Sequence, residues 1–197
     1  MNAAVSAGGA YHPFVMGFLD VLLNRKNLTF DWVADPHLQL VVDLDDSSFC
    51  GVPVGGPLKD LAALGPADDR RAHSGTLTWN RHGFYLIRDG DDPDRMQGFV
   101  LYTADPPSWH WRFRGREVDI GFASTRDDIR RVFGDPFHEF HDSTTDEVVW
   151  FYETPQAEWQ FGWEHGALLT VEVSAWRELA SPHSRESYGC AMPPPYA

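Results

Sequence analysis

Lysine is almost missing from this 197-residue chain: only Lys26 and Lys59 occur, and 16 cationic side chains face 29 acidic ones, for a formal charge of −13. That deficit excludes a phosphate-tracking nucleic-acid binder, which releases counterions with clustered Lys and Arg and would here repel the backbone. Cysteine is equally scarce. With Cys50 and Cys190 alone, no disulfide framework is expected, and a reducing cytoplasm is the default compartment. Long apolar runs are lacking too, since the stretch from Phe14 to Leu23 is interrupted by Gly17 and Asp20. No membrane span is expected, and no signal peptide, because no basic region precedes an apolar one.

What the chain has in surplus is aromatic side chains, 14% of residues with eight Trp, inside an otherwise ordinary 43% hydrophobic composition. The acidic balance suits solubility or a basic protein partner. Phe14, Val15, Phe18, Leu19, Val21 and Leu22 fall at mainly helical spacing and predict an N-terminal helix ending near Asn27. Leu38, Leu40, Val42 and Leu44 alternate as a strand introduced by Asp35-Pro36. Leu58, Leu61 and Leu64, between Pro57 and Gly65-Pro66, predict a short helix. Strands are expected at Thr76 to Trp79, Phe84 to Arg88 and Gly98 to Tyr102, with an acidic loop from Asp89 to Asp94 before the last.

The same order then recurs. Trp109, Trp111 and Phe113 alternate after Pro107, and Thr125 caps a helix through Ile129, Val132 and Phe133 that stops at Gly134-Asp135-Pro136. Strands follow at Val148 to Tyr152, Trp159 to Trp163 and Leu168 to Val173, the last two joined through Glu164-His165-Gly166. The expected plan is α+β: an N-terminal helix and connector (1–34), two tandem repeats of short helix plus antiparallel strands (35–104 and 105–175) forming one continuous curved sheet, and an extended tail (176–197) that either wraps the domain or is disordered.

The segment Val118 to Val173, through Ile120-Gly121, Thr125 to Ile129, Phe133 to Pro136, Trp159-Gln160-Phe161 and Leu169-Thr170-Val171, resembles the helix-plus-sheet module of small outer-membrane lipoproteins of the SmpA/OmlA type. Two modules in tandem are similar in plan to the β-lactamase inhibitory protein, and that likeness implies a concave sheet gripping a protein partner. The first half departs from the pattern, with Gly55-Gly56-Pro57 in place of the polar cap.

Candidate chemistry is sparse. No G-x-S-x-G elbow occurs. Cys50 precedes a Gly-rich helix entry that would lower its pKa, but Phe49 and Val52 beside it read as the setting of a small buried residue. The Gly51 to Lys59 stretch lacks the lysine placement and hydroxyl of a phosphate loop and reads as a turn and helix start. His138 and His141 are the best metal candidates, with Glu139 and Asp142 between and beside them, yet on a strand 138 and 141 point to opposite faces. Neither metal nor cofactor is expected. The Asp89–Asp94 carboxylates read as a solvated hairpin loop, since Pro93 interrupts a calcium-loop pattern.

The aromatic strands carry the functional expectation. Trp109, Trp111 and Phe113 share one face with Arg112 opposite, and Trp159, Phe161 and Trp163 share another. Most such rings must fill the core, but any on a free sheet face would be interface anchors. The expectation is therefore a non-enzymatic protein-binding module, of inhibitor or immunity type, with a basic partner and these seven residues as contacts. The alternative is an enzyme or small-ligand protein with a site between the halves, with His138, His141, Asp142 and Glu158 as first suspects.

Overall fold

A computed structural model describes residues 28–68, 75–103 and 109–191. The predicted N-terminal helix lies outside them. The described elements are strands β1 (Val41–Asp43), β2 (Ser48–Phe49) and β3 (Val52–Pro53), a 3-10 helix (Leu58–Leu64), then β4 (Thr76–Trp79), β5 (Phe84–Arg88) and β6 (Met96–Tyr102). After them come β7 (His110–Phe113), β8 (Arg116–Val118), helix α1 (Arg126–Phe133), β9 (His138–Asp142), β10 (Glu147–Glu153), β11 (Glu158–Glu164) and β12 (Ala167–Ser174). A 3-10 turn (Glu178–Ala180) and helix α2 (Pro182–Ser187) end the described chain. The class is α+β, with two antiparallel-rich sheets and few helices.

The larger sheet has the order β4-β5-β6-β12-β11-β10-β9 and is antiparallel throughout. The alternation seen in the sequence assigns its faces. Leu77, Trp79, Phe84, Leu86, Phe99 and Leu101 from one half, and Val148, Trp150, Trp159, Phe161, Trp163 and Val171 from the other, form one buried cluster. At full burial each large apolar side chain of this kind contributes about 1.5–3 kcal/mol, so this shared face is the main stabilising element. Two glycines let the sheet close up. A Cβ on Gly98 would stand 2.7 Å from the Val173 carbonyl, and one on Gly162 would stand 2.5 Å from Thr170 Oγ1.

Strands β1 and β7 do not join this sheet, so the strands form two sheets and not one continuous one. β1 and β7 pair with each other in parallel, Val42 beside Trp111, inside a smaller sheet of order β3-β2-β1-β7-β8. Two tight hairpins fill out that sheet, turning at Cys50-Gly51 (φ 49° and 82°) and Arg114-Gly115 (φ 53° and 64°), where both turn residues take the positive φ that a two-residue hairpin demands. The strand expected from Leu38 is thus shorter than its alternation suggested. Its inward residues Val42, Leu44 and Phe49 pack on the larger sheet; Phe49 lies 4.9 Å from Phe84 and 5.4 Å from Phe99 between ring centroids.

Helix α1 forms where the capping pattern places it. Thr125 accepts from the Asp128 amide and the Asp128 carboxylate accepts from the Thr125 amide, a reciprocal capping box that satisfies two orphan donors. Ile129 is its buried residue, and Phe133 wedges against Phe113, Trp159 and Phe161 at 4.8–5.8 Å.

The tail wraps the domain, one of its two expected courses, but with helical turns in it. Instead of an extended segment, residues 175–191 lie across the outward face of the larger sheet, where Leu179 and Cys190 pack with Val149 and Phe151 in a second buried cluster. Ser181-Pro182, which reads as disorder-prone composition, is an N-cap followed by Pro at the first helical position: Ser181 accepts from the Ser184 amide.

Candidate functional site

The outward face of the smaller sheet carries an open cleft of about 540 Å³. Because Val42 and Leu44 point into the core, Val41 and Asp43 must point out. The chain then turns through exposed Asp45 and Asp46. Asp43 Oδ1 accepts from the amides of Asp45 (3.0 Å) and Asp46 (3.4 Å), which holds the three carboxylates in one turn. Both oxygens of Asp45 reach the β7–β8 hairpin, accepting from Arg114 N at 2.7 Å and Gly115 N at 2.8 Å. The turn ends at Ser47, at φ 48°, whose buried hydroxyl accepts from Trp159 Nε1 at 3.2 Å.

Parallel pairing sets Arg112 beside Asp43. The cleft therefore presents Asp43, Asp45 and Asp46 against one guanidinium, around a floor that includes Leu38, Val41 and Pro53. Its local field is negative, as is the whole chain's. Cys50 lies on the wall with Sγ 3.8 Å from the Gln39 carbonyl, and burial pushes its thiol up to about 11, against a smaller downward pull from the Val41 backbone. A thiol so placed is protonated at neutral pH and is not an activated nucleophile. The dipole effect considered for Cys50 fails because the residue sits in the β2–β3 turn, with strand β3 between it and the helix.

The aromatic candidates lie elsewhere. Trp111, Trp159, Phe161 and Trp163 are buried in the core, and Trp109 and Phe113 are half-buried and packed against it, so as built these rings are not free anchors. The physical reason is the second sheet, which covers the face that a single curved sheet would leave open. Of the seven residues, Arg112 alone is exposed, and it reaches the cleft. His138 and His141 are on opposite faces of β9. His138 Nε2 is 2.8 Å from the Tyr188 carbonyl, while exposed His141 is 3.9 Å from Asp146. Asp142 is occupied by Thr144, whose hydroxyl and amide hold its carboxyl below the usual range. Among the described residues no group of three His, Cys, Asp or Glu is arranged to hold a metal ion. In the acidic loop, Asp89 accepts from the amides of Asp91 and Asp92, and Asp92 from that of Asp94, so the carboxylates stabilise their own turn. Among the described residues no helix is long and apolar enough to cross a membrane.

Glu158 is the functional suspect whose setting the sequence hides. It alternates to the face opposite Trp159 and so reads as exposed, yet it is fully buried because residues 175–191 cover it. Burial drives its carboxyl up to about 7, against opposing hydrogen bonds from Gln160 and the backbone of Glu178 and Leu179. Glu172 on β12 is likewise raised to about 7, by burial and then by the charge of Glu178.

No protein-family model matches the chain, and no curated protein matches it. Among solved structures, the chain is similar to YjgB, a DUF4309 family protein from Bacillus subtilis, at 14% identity and a TM-score of 0.44, over 64% of this chain and 83% of that one.

Proposed function

We propose that this protein is a non-enzymatic binding module, of inhibitor or immunity type, which takes a basic segment of a protein partner at the acid-rimmed cleft. The observation that carries the reading is the trio Asp43, Asp45 and Asp46, of which the carboxylates of Asp43 and Asp45 are held by main-chain amides, around an open, partly apolar floor. Preset charges steer encounter and lose little freedom on binding. Arg112 supplies one donor group for an acidic or carbonyl partner atom at the same rim.

The tandem plan belongs to this reading. Each half places three consecutive antiparallel strands in the larger sheet, β4–β6 and β10–β12, the third strands of the two sets pair with each other, and the leading strands β1 and β7 pair likewise. Those pairings support two related halves of the SmpA/OmlA kind. The partner face differs from the concave sheet of the β-lactamase inhibitory protein, since here it lies on the smaller sheet. A cytoplasmic setting accords with a cysteine content of two residues.

The test is affinity capture from host lysate at low ionic strength with the parent protein and an Asp43→Asn/Asp46→Asn variant side by side. Asn keeps the acceptor oxygens and removes two charges. One basic protein recovered by the parent, released by salt and lost by the variant, is the expected result. Equal recovery by both proteins refutes the cleft as the contact.

A further inference from the structure

The cover formed by residues 175–191 closes over carboxylates that a sheet face normally leaves in water. Glu153 of β10 and Glu158 of β11 are direct cross-strand neighbours, and Glu172 of β12 is paired with Gln160. Glu158 is fully buried. Its Oε1 accepts from Gln160 Nε2 at 2.7 Å and from the Glu178 amide at 3.3 Å, whereas Oε2 has no hydrogen-bond partner. Glu153, 1% exposed, has Arg177 Nε at 3.7 Å, and Arg177 also donates to the carbonyls of Thr154 and Pro155. Glu178 accepts from Ser184 Oγ at 2.8 Å.

The charged and titratable groups around Glu158 and Glu172 are Glu153 from β10, His138 from β9, and Arg177, Glu178 and Tyr188 from the cover, while Glu147 stands exposed at the far end of β10 opposite Glu164. β6 adds only uncharged Val100, opposite Glu172. Arg185 is engaged with the carbonyls of Leu179 and Ala180. Four carboxylates, Glu153, Glu158, Glu172 and Glu178, thus lie near one guanidinium, that of Arg177, whose ion pair is with Glu153.

We propose that residues 175–191 are a pH-responsive cover: proton loss from Glu158 and Glu172 loosens it and bares the apolar patch of Val149, Phe151, Phe137 and Phe140. The geometry requires the coupling. A closed cover removes water from Glu158 and brings the charge of Glu178 to the partly buried Glu172, while an open one returns water to the first and relieves the second. The sign follows from linkage. Both carboxyls titrate near 7 when covered and near the ordinary 4.5 when free, so the closed state holds more protons. Raising the pH from about 4.5 to about 7 favours opening, and above that window the balance is level.

Cys190 reports the event, since it is 9% exposed and lies within the covered cluster. The experiment measures maleimide labelling of Cys190 in a Cys50→Ser protein from pH 5.5 to 8, each rate divided by that of a small thiol at the same pH. The expected ratio rises roughly tenfold across the range, well below the limit that two independent shifts would allow. In Glu158→Gln/Glu172→Gln it stays within about twofold, because no proton is lost on opening. An unchanging ratio in the parent, or the same rise in the double variant, overturns the proposal. Should the double variant not fold, Glu172→Gln alone with amide exchange at Cys190, whose N–H donates to the Arg185 carbonyl, serves instead: a shallower pH dependence than the parent supports the cover, and an identical one refutes it.

Discussion

Phe161 distinguishes a core role from a surface role for the aromatic strands. It is fully buried, with the rings of Phe133, Tyr152 and Trp163 at 5.3, 5.6 and 6.3 Å, so it joins helix α1, β10 and β11 at one point. Truncation to Ala removes a whole ring from a site walled by three large aromatics, which cannot collapse far into the space. The transfer and cavity contributions together place the loss at about 4 kcal/mol. Against the roughly 5–15 kcal/mol that holds a typical domain, this is a large fraction. Phe161→Leu keeps most of the volume and is expected to cost under about 1.5 kcal/mol. Urea unfolding followed by far-ultraviolet circular dichroism reads both values, with Arg112→Ala as a surface control expected within about 0.5 kcal/mol of the parent. A Phe161→Ala loss below about 1 kcal/mol would refute the packing described here and restore the ring as a candidate partner contact.

Three further outcomes are expected. Thr125→Ala removes half of the capping box and should cost about 1 kcal/mol in the same unfolding assay; no loss would show that α1 is held by the packing of Ile129 and Phe133 without its cap. Cys50, with its thiol near 11, should react with iodoacetamide at pH 8 on the order of a hundredfold more slowly than an unhindered thiol, and a comparable rate would contradict its burial. Gly162→Ala forces a methyl against Thr170 Oγ1 and should lower stability by about 1–3 kcal/mol, with Thr170→Ala restoring much of the loss; absence of rescue would locate the strain elsewhere.

Local chemistry was enough to place many elements. The alternation Trp159, Phe161, Trp163 marks β11 and its buried face, and Thr76–Trp79 and Phe84–Arg88 form with the expected bounds. Thr125 and Gly134 bracket α1, and His165-Gly166, both at positive φ, make the turn expected between β11 and β12. Each of these signals spans a few residues and is decided by side-chain period, caps and backbone sterics.

The partner of a strand is decided by hydrogen bonds and burial across the whole chain, which no local period reports. Asp43 and Arg112 meet because β1 pairs with β7, and Asp45 reaches Arg114 across 69 positions, so the acidic cleft exists only once the smaller sheet forms. That sheet also turns the aromatic faces into core. The same holds for Glu158: its alternation points it toward solvent, and Leu179, Tyr188 and Cys190, packing over the outward face, place it in the interior. The sequence determined the acidic charge, the strands with their apolar faces, and the capped helix, because those depend on near neighbours. Tertiary structure alone decided which faces are covered, and with that which carboxylates line an open cleft and which lie buried.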